Sequence, residues 1–173
     1  MAKCLCFYHP ADDAALKARQ LRELLRAQAA CRHFGRELLV EIIAGKNGPI
    51  ADGTVAEVLR TLYAQGLCPD WWKLEPQTSP AAWEAIGAAI ADNDPQCLGV
   101  LVLGLNAPIA QLEEAFAAAR TPWVRGFAIG RSIFADPARH WLNGTIDDAT
   151  AISVMAERFA GLVKSWQRTH RKG

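Results

Sequence analysis

Apolar residues fall along this chain in two alternating rhythms. Short apolar runs are separated by longer stretches in which apolar residues recur at helical spacing. Lys3 to Tyr8 predicts a buried strand, and Asp12 or Asp13 then caps a helix with the stripe Leu21, Leu24, Leu25 and Ala29, which Gly35 stops. Glu37 to Ile43 predicts the second strand. The following helix carries Val55, Val58, Leu59, Leu62 and Tyr63 and ends at Gly66. Trp71 to Glu75 is the third strand. Ser79-Pro80 supplies an N-cap with proline in the first helical position, ahead of the stripe Trp83, Ile86 and Ile90.

Leu98 to Leu103 predicts the fourth strand, followed by a helix packed through Leu112, Ala115, Phe116 and Ala119. Val124 to Ile129 is the fifth strand, with a short helix near Ser132 to Phe134. A last long helix runs from about Asp147, with Ile152, Met155, Phe159, Val163 and Trp166 on one face. Strands that are apolar on both faces and alternate with helices indicate an α/β fold with a parallel sheet covered by helices. This pattern alone fits both a closed barrel and an open doubly wound sheet. Both place their sites at the C-terminal ends of the strands.

Composition narrows the class. With 173 residues the chain is ample for one core and thin for two, and no linker divides it, so residues 1–173 read as one domain. A formal net charge of +1 gives no global pull toward nucleic acid or membrane. The basic end, Arg168, Arg171 and Lys172, reads as a solvated tail that complements a helix C-terminus. No apolar run reaches the ~20 residues of a membrane helix. The five cysteines have no regular spacing, which points to a reducing, cytoplasmic setting. Cys4 and Cys6 alternate along a strand and read as small packing residues, and no clustered histidines suggest a metal.

The informative residues are the polar ones inside or just after each strand. Lys3 opens the first strand, Glu41 interrupts Leu38-Leu39-Val40-Glu41-Ile42-Ile43, and Lys73 interrupts Trp71-Trp72-Lys73-Leu74. An unpaired buried charge costs several kcal/mol, so each should be paired, neutralised or functional. Strand parity puts Trp71, Lys73 and Glu75 on one face, and Leu39, Glu41 and Ile43 on one face. A lysine among carboxylates and a second lysine suits an amine nucleophile, since desolvation and a like charge favour the neutral amine. A structural ion pair of Lys73 with Glu41 or Glu75 would account for the same pattern.

Two further places suit an anion. Gly104 follows the fourth strand, and Gly130-Arg131-Ser132 follows the fifth and opens a helix. Glycine admits backbone N–H groups to a phosphate, a helix N-terminus favours it and arginine clamps it. His9, at a strand end, is a lesser candidate for acid–base work. His33 and His140 fall in or near helices. No GxGxxG motif and no phosphate-binding GxxxxGK[ST] loop is present.

Taken together, Lys3-Cys4-Leu5-Cys6-Phe7-Tyr8, Leu39-Val40-Glu41-Ile42, Trp72-Lys73-Leu74-Glu75-Pro76 and Gly126-Phe127-Ala128-Ile129-Gly130-Arg131 resemble strands four, five, six and eight of class I tagatose-1,6-bisphosphate aldolases. The phrases Phe7-Tyr8-His9-Pro10, Pro69-Asp70-Trp71-Trp72-Lys73-Leu74 and Gly130-Arg131-Ser132-Ile133-Phe134 resemble more closely the aldolase-like domain found C-terminal to bacterial 5-dehydro-2-deoxygluconokinase, in inositol catabolism.

That resemblance implies a partial (β/α)8 barrel made of strands four to eight. It implies a cofactor-free aldehyde-lyase in which Lys73 forms a Schiff base, Glu41 handles protons and Lys3 sets the local potential. Gly104, Gly130 and Arg131 would hold phosphate. The implied reaction cleaves 6-phospho-5-dehydro-2-deoxygluconate to dihydroxyacetone phosphate and malonate semialdehyde.

Strands one to three have no counterpart here, so the chain reads as a truncated gene, a fragment or one piece of a split protein. The expected partners follow: a second copy, or a chain or domain supplying the missing strands, such as a sugar kinase domain. A non-catalytic phosphosugar-binding or scaffolding module is the alternative.

Overall fold

The computed structural model describes residues 1–170. Arg171 and Lys172 of the basic end lie outside the described residues, and Arg168 contacts Glu113 at 3.4 Å. The elements are β1 (Ala2–Phe7), α1 (Ala14–His33), β2 (Leu38–Ile43), α2 (Thr54–Ala64), β3 (Trp71–Leu74), α3 (Pro80–Asn93), β4 (Gly99–Leu103), α4 (Ile109–Ala118), β5 (Val124–Ala128), α5 (Arg131–Leu142) and α6 (Asp148–His170).

The five strands form one parallel sheet in the order β1-β2-β3-β4-β5. This consecutive order has no reversal, so the topology is that of a barrel wall and not of a doubly wound sheet. The alternation expected from the sequence is the fold found: a partial (β/α) barrel of five units.

Local chemistry explains the element ends. Asp13 accepts from the Leu16 N–H at 2.9 Å and caps α1. Ser79 does the same for α3 through Ala82 at 3.1 Å, with Pro80 next. Gly35 (φ +59°) and Gly66 (φ +85°) adopt the left-handed conformation that ends α1 and α2.

The core lies between the sheet and the helices. From the strands it takes Val40, Ile42, Trp72, Leu74, Val100 and Val102. From α2, α3 and α4 it takes the expected stripes, including Leu59, Leu62, Trp83, Ile90, Leu112 and Phe116. Cys6 is buried here, its Sγ donates to Gln20 Oε1 at 2.8 Å, and burial pushes its thiol up to about 12. Trp72 Nε1 donates to Tyr63 Oη at 2.6 Å, with the rings edge to face.

Three expectations need correction. The buried residues of α1 are Leu24, Gln28 and Cys31, whereas Ala29 is exposed. Gln28 is polar, yet it donates to Gly66 O at 3.0 Å and accepts from Cys68 N at 2.7 Å, so it clamps the loop before β3. On α6 the buried residues are Ala151, Leu162 and Ser165, while Ile152 (67%) and Phe159 (52%) are exposed.

The third concerns α5, which is no short turn. It runs through Pro137 to Leu142. Proline leaves the carbonyl four residues earlier without its helical donor. That carbonyl, on Ile133, accepts from Arg158 Nη1 at 3.4 Å instead.

Among the described residues, no helix is long and apolar enough to cross a membrane. The two buried tryptophans differ, because the Trp83 indole N–H has no hydrogen-bond partner among the described residues. Trp72→Phe leaves the buried Tyr63 hydroxyl without its donor, whereas Trp83→Phe removes an orphaned one. Urea unfolding should therefore show Trp72→Phe to be more destabilising, by about 1–3 kcal/mol. Equal losses would refute this account of the Trp72–Tyr63 bond.

Candidate active site

The concave face of the sheet opens into a cleft of about 870 Å3 at the C-terminal ends of the strands. The parallel register sets Glu41 of β2 directly beside Lys73 of β3. Lys3 lies two residues before Leu5, the β1 neighbour of Glu41, within reach of a long side chain. A single carboxylate oxygen, Glu41 Oε2, is 2.7 Å from Lys3 Nζ and 3.1 Å from Lys73 Nζ. The Lys73 and Glu41 side chains are only 15% and 10% exposed, and Lys3 is 51% exposed. Burial pushes the Glu41 carboxyl up, but the hydrogen bonds and charges of the two lysines outweigh it and leave it below its ordinary value.

Of the two carboxylates that parity brings near Lys73, Glu41 makes the contact. Glu75 is buried and holds backbone instead. Its Oε2 accepts from Ala44 N at 2.6 Å and Gly45 N at 3.0 Å, which fixes the start of the β2–α2 loop.

Gly104, Gly130 and Arg131 line the β4 and β5 end of the same cleft. A Cβ on Gly104 would meet Ile129 Cγ2 at 2.9 Å, so any larger residue there would have to displace the Ile129 side chain. The turn after it is strained: Leu105 (φ +48°) and Asn106 (φ +63°) are both left-handed, closed by Ala107 N donating to Gly104 O at 2.8 Å. Such conformations cost of order 1–3 kcal/mol each and cluster at ligand sites. Arg131 opens α5 on its exposed N-terminal turn, and the Ser132 hydroxyl beside it is buried without a partner among the described residues.

His9 stands apart from this cleft. Its Nδ1 accepts from Ala11 N at 3.1 Å, and its Nε2 lies 3.3 Å from Pro49 O. Both ring nitrogens serve loop structure, which corrects the acid–base expectation for His9.

Two residues of the cleft were not singled out from the sequence. Ser132 was visible as part of Gly130-Arg131-Ser132 but had no role of its own. Lys46 lines the cleft from the β2–α2 loop, its Nζ 4.0 Å from the Phe7 ring centroid. It is the first charged residue after β2, and its place just past a strand end is the signal in the sequence that goes with it. The cleft thus carries four cationic side chains, Lys3, Lys46, Lys73 and Arg131, against two carboxylates, Glu41 and Glu75. The excess of two positive charges favours an anionic ligand. Among the described residues, no group of three or more His, Cys, Asp and Glu could hold a metal.

Because the folded Glu41 carboxyl lies below the ordinary 4.5, its pairing stabilises the fold above that value. That contribution is lost as pH falls from 4.5 through the folded value. Glu41→Gln should destabilise the chain at neutral pH by about 1–3 kcal/mol, less than for a fully enclosed pair because Lys3 faces water. It should also flatten the acid limb of the stability profile. Urea unfolding across that range checks both. Parallel profiles for the two proteins would assign the acid sensitivity to other carboxylates.

Comparison with other proteins agrees with this picture of the fold. The structure superposes on a fructose-bisphosphate aldolase from Plasmodium falciparum, solved in complex with TRAP and a small-molecule inhibitor, with a TM-score of 0.69 at 15% identity. The match covers 99% of this chain and 58% of the aldolase, so the chain spans little more than half of that protein's length. An aldolase-like fold is what this likeness shows. No curated protein matches the sequence. Residues 1–170 match the family described as "Uncharacterized protein conserved in bacteria (DUF2090)", and the chain belongs to that family.

Proposed function

We propose that the cleft is the Schiff-base site of a class I aldolase, an aldehyde-lyase acting on a phosphorylated keto-sugar acid. The observation that carries this reading is the partly buried Lys73 amine 3.1 Å from the Glu41 carboxylate, in a cleft with excess positive charge. Glu41 accepts the Lys73 ammonium proton, and the freed amine attacks the substrate ketone. Water leaves as the proton returns, and an iminium remains. With 6-phospho-5-dehydro-2-deoxygluconate, the iminium at C5 accepts the electron pair of the breaking C3–C4 bond while a base takes the C3 hydroxyl proton. Malonate semialdehyde departs, and hydrolysis of the remaining enamine, by way of its iminium, releases dihydroxyacetone phosphate.

In this reading Lys3 sets the local potential around Glu41 and Lys73, and Arg131 holds the phosphate with backbone N–H groups near Gly104 and Gly130. The chemistry proposed uses protein side chains only. The described cysteines are free, which fits a cytoplasmic setting.

A second reading, a non-catalytic phosphosugar-binding or scaffolding module, is favoured by the open sheet. Among the described residues β1 and β5 each pair on one side only, Leu5 is 48% exposed on the concave face, and Ile152 and Phe159 are exposed on α6. Unpaired edges and apolar faces invite another chain. The active assembly in this proposal gains the missing barrel wall from a second copy or from a segment carrying further βα units, such as one joined to a sugar kinase domain.

Two tests follow. Borohydride with a keto-phosphate substrate should trap an adduct on Lys73, and Lys73→Arg should abolish both trapping and cleavage, because arginine stays protonated. Adducts elsewhere would remove Lys73 from the mechanism. Light scattering combined with an activity assay should find the chain alone self-associated or inactive. A monodisperse monomer with full aldolase activity would sink the incomplete-barrel reading.

A further inference from the structure

The β2–α2 loop carries a cation that the aldol chemistry above leaves unused. Lys46 reaches into the cleft, and its ammonium rests over the Phe7 ring. The loop beneath it is held firmly. Glu75 binds the Ala44 and Gly45 N–H groups, Asn47 N donates to Ala44 O at 3.1 Å, and Asn47 Nδ2 donates to Asp12 Oδ1 at 3.1 Å. No carboxylate among the described residues pairs with Lys46. The ring orients the ammonium without neutralising it.

Its place across the sheet matters. Lys46 follows β2, one strand to one side of Lys73, and Arg131 follows β5, two strands to the other. At a strand spacing of ~4.8 Å, the two cations root on opposite flanks of the amine. We propose that Lys46 docks a second anion of the substrate, a carboxylate, so that the cleft selects keto acids phosphorylated at the far end over phosphorylated ketones that lack an acid group. This deepens the aldolase reading and rests on it. A lone ammonium suits a singly charged carboxylate. The phosphate end is already supplied at Arg131 and the α5 N-terminus, and beside Lys46 the Gly45 N–H is committed to Glu75 and cannot join a second phosphate cradle. The substrate named above has this shape: its ketone lies beside the phosphorylated carbon, and its carboxylate ends the opposite arm.

Calorimetric titration of the chain with 6-phospho-5-dehydro-2-deoxygluconate and with dihydroxyacetone phosphate tests this. Lys46→Gln should weaken the keto acid about tenfold and leave dihydroxyacetone phosphate within about twofold, as expected for one charge-assisted contact. Lys46→Arg should restore most of the loss, and Arg131→Ala should weaken both ligands. Equal loss of both ligands in Lys46→Gln, or no loss, overturns the proposal, as does a wild-type chain that binds neither. Borohydride trapping in parallel separates the two readings. An adduct on Lys73 with selectivity unchanged in Lys46→Gln defeats the Lys46 assignment alone. Selectivity that depends on Lys46 without any adduct defeats the imine alone.

Discussion

One carboxylate oxygen sits between two ammonium groups, and the concave face of the sheet is organised around it. Glu41 can be buried because Lys3 and Lys73 compensate its charge, and Lys73 can be drawn partly out of water because Glu41 compensates it in turn. That mutual dependence enforces the strand register. A slip of one residue in β2 would turn Glu41 toward the helices, among Val55, Leu59 and Leu62, and bring Val40 and Ile42 into the polar cleft. The apolar outer face and the charged inner face therefore select the same pairing of strands.

Around this centre the loops are built with the same economy of partners. Glu75 gives up any contact with lysine to hold two backbone N–H groups, and His9 spends both ring nitrogens on neighbouring loops. The Glu75 bonds fix the start of the β2–α2 loop at the cleft rim, and His9 ties the β1–α1 and β2–α2 loops together away from it. The left-handed turn at Leu105 and Asn106 is the exception, a strained stretch on the rim beside the candidate phosphate end.

The strands and the helices α2, α3 and α4 were legible in the sequence because each of those helices lies over the sheet between two neighbours. Their apolar stripes, such as Val55 to Tyr63, face one environment throughout. The helices over the two ends of the sheet were less legible. Leu21 and Leu25 on α1, and Ile152 and Phe159 on α6, follow helical spacing without being fully buried, so periodicity overstated their core. Gln28 was missed because its role depends on a loop 38 residues away. The Lys3, Glu41 and Lys73 cluster was legible because charge inside an apolar run is costly enough to require a reason. Lys46 sits in a polar loop, where a charge costs nothing and so carries no such signal.

Pro137 has one more consequence. By freeing the Ile133 carbonyl it gives Arg158 of α6 a foothold on α5, and the same guanidinium also holds Asp136 at 3.0 Å. The first turn of α5, which carries Arg131 into the cleft, is thus braced from behind by a residue on the outer layer. The terminal helix acts as a strut: where it seats sets how far Arg131 can reach, and a change on the outer surface of the molecule is felt at the mouth of the cleft.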